Sequence, residues 1–304
     1  MLTLEGYDGP LFGQIDAYRT DMLDATRDLH ARVAQTNALG SLLTPDLIAA
    51  GRRIVESITV RNQAPLFSPL FLTFLGHREW VAATDRALVR MRDALSATPT
   101  VYRHFISNTQ AQPMSGLFEL NVYDVLADAF PSEPQPRLTG TSRRSDVRVV
   151  IDGVHAFVEA TVLSEGAFWN GVTAMMQAQG LSVYSTSGPG PNAEARRIVS
   201  KIAEELRQTA PDAPNVIAVS FFDTFPSDLA REWAFADLLR GGGRFTDSDV
   251  DLSHLKRVDS IFEFGRAHLL NMHVNPHADR PFRLPDGVRD RLRAVLDSAR
   301  FMIR

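Results

Sequence analysis

Hydrophobic and polar positions alternate most regularly between Ser145 and Thr161, in the stretch SDVRVVIDGVHAFVEAT. Val154, Ala156, Val158, Ala160 and Val162 form one apolar face, and His155, Phe157, Glu159 and Thr161 form the other. A period of two dominated by β-branched and apolar residues predicts two strands, Val147 to Ile151 and Val154 to Val162. Asp152-Gly153 between them predicts a two-residue type I′ turn, which needs positive φ at both central residues. With that turn Ile151 faces Val154, Asp146 faces Glu159 and Arg144 faces Thr161. One wholly apolar face and one partly polar face predict packing on one side and a cleft on the other.

Facing side chains have Cβ atoms about 4.5–5.5 Å apart. Two carboxylates so placed repel by roughly 3 kcal/mol at an effective dielectric of about 20. A divalent cation with oxygen ligands offsets that cost. The bland alternative is a half-buried hairpin whose acids face water.

Elsewhere the apolar spacing is helical. Phe12 to Ala38, a segment from Thr44-Pro45 to about Val60, and His77 to Ala97 predict three long helices, with Thr44 as N-cap and proline at the first helical position. Ser115 to Phe130 predicts an amphipathic helix with Phe118, Val122, Val125 and Ala129 as its stripe. Glu119 lies beside that stripe, either exposed in the first turn or aimed at the hairpin cleft. Pro131 to Thr141 reads as a proline-rich loop, and Ser164 to Pro191 as a long irregular one. Asn192 to Thr209 predicts a helix that buries Ile198, Ile202 and Leu206 across the sheet. Lys201 and Gln208, seven residues apart, share one side of it. Asn215 to Phe222, Asp259 to Phe264 and His268 to Val274 predict strands, and Asp286 to Phe301 a closing helix. The order predicts an α/β fold, a mixed central β-sheet flanked by helices (domain 113–304), after an N-terminal α-helical region (1–112). That region is a packing platform and a candidate surface for homo-oligomer formation.

Composition narrows the chemistry. The 304 residues contain no cysteine, which excludes disulfides and thiolate metal sites and is compatible with a cytoplasmic location. No basic leader followed by an apolar run is seen, and the longest apolar stretches are too short to span a bilayer, so no membrane partner is expected. Net charge is −4, so attraction to nucleic acid must be local. Basic residues cluster at Arg143/Arg144/Arg148, at Arg196/Arg197 and from Arg280 to Arg304. Of 32 basic residues only Lys201 and Lys256 are lysine, the residue with a tunable pKa. His273 and His277 have the spacing of a helical zinc pair, but Pro276 between them disfavours a helix. Gly241-Gly242-Gly243 lacks the lysine of a phosphate loop.

The order of helix with Glu119, then Asp146, then Glu159-Ala160-Thr161, then helix with Lys201 and Gln208, then strand, resembles the PD-(D/E)XK, or restriction-endonuclease-like, nuclease superfamily. The segment Asn275-Pro276-His277-Ala278 also looks like a recurring Asn-Pro-x-Ala stretch of its bacterial members. The resemblance implies a nuclease that hydrolyses phosphodiester bonds, acting on DNA, in a defence or restriction setting. It implies Mg²⁺ or Mn²⁺ held by Glu119, Asp146 and Glu159, with Asp146, Glu159, Thr161 and Lys201 as catalytic residues. Arg144, Arg197 and Gln208 are the expected substrate contacts. Ser145 stands where the family has proline, and Thr161 where it has lysine. A neutral hydroxyl cannot supply the lysine's charge, so Lys201 or Arg144 must, or the chain is a catalytically silent relative that binds nucleic acid or a protein.

Overall fold

The computed structural model describes residues 11–57, 68–163, 190–221, 227–245, 251–265 and 268–298. The irregular stretch expected over Ser164 to Pro191 lies outside the described residues up to position 189, and its last residue, Pro191, opens a helix; the proline at position 65 is also outside them. The chain divides into two compact units between Val89 and Arg90.

The first unit is helical. α1 (Leu11–Val33) packs against α2 (Pro45–Glu56) and α3 (Pro69–Gly76). α2 starts as its sequence predicts: the Thr44 hydroxyl accepts from the Leu47 N–H at 3.3 Å, ahead of proline at the first helical position. Asp85, on α4 (Trp80–Ala94), accepts the backbone N–H groups of Asn37, Ala38 and Leu39, which end-cap the turn after α1. Those three bonds hold its carboxyl below the usual range against the opposing effect of its burial.

The second unit is a six-stranded mixed sheet in sequential order, β1 (Ser132–Pro134), β2 (Val147–Ile151), β3 (Val154–Val162), β4 (Asn215–Ser220), β5 (Val258–Phe264) and β6 (Leu269–Val274). β1, β2 and β3 form an antiparallel meander, β3, β4 and β5 run parallel, and β6 returns antiparallel. The hairpin register is the expected one, with Val147 opposite Val158 and Ile151 opposite Val154, turned by Asp152 and Gly153 at φ 51° and 81°. β1 lies inside the segment expected as a proline loop; three residues carry too short a pattern to be read, and only pairing with β2 makes them a strand.

The cleft expected on the Glu159 face is not open. From Ala156 to Val162 the strand is buried on both faces. The parallel step from β3 to β4 requires a crossover, and its helix must lie on one face of the sheet. That helix is α7 (Pro191–Leu206), which buries Ile198, Ile202 and Leu206 with Ile217, Val219 and Ile261 in one core. α8 (Asp228–Leu238) joins the same layer. The opposite face, with Val158, Ala160 and Phe264, meets α6 (Pro113–Ala129), whose Phe118 sits edge-on to Phe264 at 5.5 Å. The α6 stripe is wider than expected, with Leu117, Leu120 and Leu126 buried while Ala129 is exposed. α5 (Pro99–Ala111) packs on α6, and α9 (Asp286–Ser298) is anchored by a two-pronged ion pair from Arg289 to the buried Asp259.

Candidate active site

Antiparallel pairing carries Asp146 past the end of β2 to the level of Glu159, and the Asp146 carboxylate accepts the Ala160 N–H at 2.8 Å. Glu159 is fully buried. Among the described residues neither of its oxygens has a hydrogen-bond partner, and neither does the buried Ser145 hydroxyl, although that hydroxyl is near enough to favour the ionised carboxylate. An unpartnered buried carboxylate is costly unless it is protonated or meets a cation.

Glu119 arrives from the seventh position of α6, not from an exposed first turn. It is half-buried and accepts the Gln135 side-chain amide, which lies 3.5 Å from Asp146. Gln135 follows β1 in the left-handed conformation, at φ 50°. A non-glycine residue is held there only where its surroundings over-determine it. Here its N–H donates to the Asp146 carbonyl at 2.7 Å and its own carbonyl accepts the Arg144 guanidinium.

α7 supplies the remaining groups. Glu205, buried, accepts the Thr161 hydroxyl at 2.9 Å and the Gln208 amide at 2.8 Å. Lys201 lies 3.0 Å from Glu205 and 3.3 Å from Glu204. Lys201 and Glu205 thus form an i,i+4 ion pair whose acid is buried and belongs to the cluster.

The electrostatics follow from crowding. Burial pushes the Glu119 and Glu159 carboxyls well above the usual range, and the neighbouring Asp146 adds to both. Asp146 is pushed up to about 7, again by burial first. The Ala160 N–H and the Lys201 ammonium oppose that rise, and Glu205 reinforces it. The Lys201 pKa is raised, its burial outweighed by Glu205 and Glu204.

Glu119, Asp146, Glu159, Thr161, Lys201 and Gln208 thus come together. Arg144 does not face Thr161 as a free cation. Its guanidinium is committed to the Gln135 carbonyl, because the chain leaves the ladder before Arg144 and bridges Arg137 instead. Arg197 sits half-buried one turn before Lys201. Sequence reasoning missed Gln135 as a bridge and Glu205 as a member. The signal for Glu205 was its i,i+4 spacing from Lys201 and its place beside Leu206 on the apolar flank. His273 and His277 diverge, to Glu263 at 3.0 Å and to the Leu239 carbonyl at 2.8 Å. Asn275 donates to the Leu255 and Val258 carbonyls, which gives the Asn-Pro-His-Ala segment a structural role.

Among the described residues, no three His, Asp or Glu side chains close on one point as a finished metal site does. The donor chemistry is still that of a hard cation, all carboxylate oxygen with one acid lacking any partner. Between Glu119 and Asp146 the place of positive charge is taken by the Gln135 amide. No family model, curated protein or solved structure matches the chain.

Proposed function

We propose that the protein is a metal-dependent nuclease that hydrolyses phosphodiester bonds of DNA. The observation that carries this reading is the fully buried Glu159 carboxylate, without a hydrogen-bond partner among the described residues, set beside Asp146 and Glu119. Glu119, Asp146 and Glu159 are the residues that would hold Mg²⁺ or Mn²⁺. Such an ion polarises the phosphate and lowers the pKa of its water. Asp146 fixes the end of the hairpin through Ala160, and Lys201, steered by Glu205, places an ammonium on the same side of the sheet for phosphoryl charge. Thr161 orients Glu205 and thereby Lys201. The defence or restriction setting follows from the family resemblance alone.

The test is incubation of plasmid and single-stranded DNA with protein and Mg²⁺ or Mn²⁺. Cleavage should fall at least a hundredfold in Glu159→Gln and Lys201→Met, with folding intact in both. Cleavage that survives Glu159→Gln would sink the reading. A catalytically silent relative is the second reading, favoured by Thr161, whose hydroxyl is spent on Glu205 where the family motif has lysine. It expects no cleavage from the wild-type chain.

A further inference from the structure

Four basic residues gather between the end of α7 and the turn before β5. The exposed Arg143 guanidinium donates to the carbonyl of Arg207, the residue that caps α7. The chain after α7 is tied to the next basic group by Asn215. Its side chain bonds Ala210 and Ala213 and donates to the Arg257 carbonyl at 3.1 Å. The Arg257 guanidinium in turn lies 3.0 Å from His254 Nδ1, and the exposed Lys256 stands between those two residues in sequence. The backbones of Arg207 and Arg257 are thus tied to one segment, and Arg257, Arg143 and Lys256 lie within electrostatic range of His254. Burial lowers the His254 pKa, and the Arg257, Arg143 and Lys256 charges lower it further, as a converging set of cations should. The acids beside these residues are Asp251, which bonds the Ser253 N–H, Asp279, 3.8 Å from Lys256, and the exposed Asp212 between Arg207 and Asn215. Four cations thus stand against three acids in a chain whose net charge is −4.

This basic set adjoins the carboxylate cluster. Arg207 is followed at once by Gln208, whose amide bonds Glu205. Two of its guanidinium groups are pre-positioned by hydrogen bonds to protein, so little side-chain freedom remains to be lost on binding. Arginine at fixed positions beside carboxylates suits a chain of phosphodiesters, which binds through charge regardless of sequence. We propose that Arg143, Arg207, Lys256 and Arg257 form a track for the phosphodiester backbone of a nucleic acid, seating it against the carboxylate cluster. The purpose of the seating rests on the nuclease reading; the binding itself does not.

The experiment is fluorescence anisotropy of a labelled duplex DNA, and of an RNA of the same length, with the full chain in EDTA between 50 and 200 mM NaCl. Wild-type protein should bind, with affinity falling steeply with salt. In Arg143→Gln/Arg257→Gln, the slope of log K against log [salt] should fall by about two, with weaker binding at every salt concentration. Lys256→Glu, which alters only an exposed side chain, should weaken binding without touching the hydrogen bonds, and circular dichroism checks that each variant is folded. Wild-type affinity and slope in the folded variants would overturn the track, as would a wild-type chain that binds neither nucleic acid at 50 mM NaCl. Binding that behaves as expected without any cleavage sinks the nuclease reading and leaves the track standing. Unchanged binding in the variants, with cleavage lost in Glu159→Gln, sinks the track alone.

Discussion

At the scale of single residues, the carboxylate cluster makes stability depend on pH in an unusual direction. Most paired acids have lowered pKa values, so their proteins gain stability as pH rises. Asp146 is the reverse, pushed up to about 7 from 3.8. Its folded form binds the proton more tightly than its unfolded form between those values. Its contribution is therefore most favourable at low pH and is lost as pH rises from about 4 towards 7. Glu119 and Glu159 shift in the same direction. In EDTA, Asp146→Asn should raise the melting temperature at pH 8 relative to wild type by about 4–8 °C, or about 2 kcal/mol, and change it little at pH 5. Melting curves across that range check it; parallel wild-type and Asp146→Asn profiles would show that Asp146 titrates normally.

Among elements, α6 matters most for the site, since it must bring Glu119 to the end of the hairpin. Its seating against α5 depends on Gly116, where an added Cβ would collide with the Thr109 side chain. Thr109 is itself locked by its hydroxyl bond to the Phe105 carbonyl at 2.9 Å. Gly116→Ala should therefore destabilise the chain by about 1–3 kcal/mol despite the better helix propensity of alanine. Adding Thr109→Ala, which removes Oγ1 and Cγ2 but leaves the Thr109 Cβ 2.6 Å from the added one, should recover part of that loss, a coupling measured by denaturant unfolding of both single variants and the double one. Additive losses would place the cost elsewhere. The hairpin is the complementary case. Asp152 and Gly153 accept positive φ by residue type, so its register was legible without tertiary information.

For the whole molecule, ion binding should link to folding. A cation that binds only the folded chain stabilises it by mass action, about 2.7 kcal/mol at a hundred times its dissociation constant. Millimolar Mg²⁺ or Mn²⁺ should raise the melting temperature at pH 8, where the cluster carries most charge. The rise should shrink at pH 5.5, because protons compete for the same oxygens. Glu159→Gln should remove most of the response at pH 8. Equal responses in wild type and variant would place the ion elsewhere on the chain.

Local chemistry alone determined the hairpin, its register and the pairing of Asp146 with Glu159, because a period of two and an Asp-Gly turn act within some fifteen residues. The amphipathic spacing of Ile198, Ile202 and Leu206 likewise marked the helix that crosses the sheet and the flank on which Lys201 lies. What the sequence could not show was that the Glu159 face would be covered. That followed from the parallel pairing of β3 with β4, a contact between strands more than fifty residues apart, with α7 laid over it. Coverage turned a half-exposed acid into a buried one with no partner among the described residues. It brought in Glu205, which accepts the Thr161 hydroxyl. Gln135 was equally illegible, since nothing in its neighbours announces a left-handed bend whose amide bridges two acids. Periodicity and turn chemistry are written in neighbouring residues, whereas burial and charge crowding arise only when distant elements are packed together.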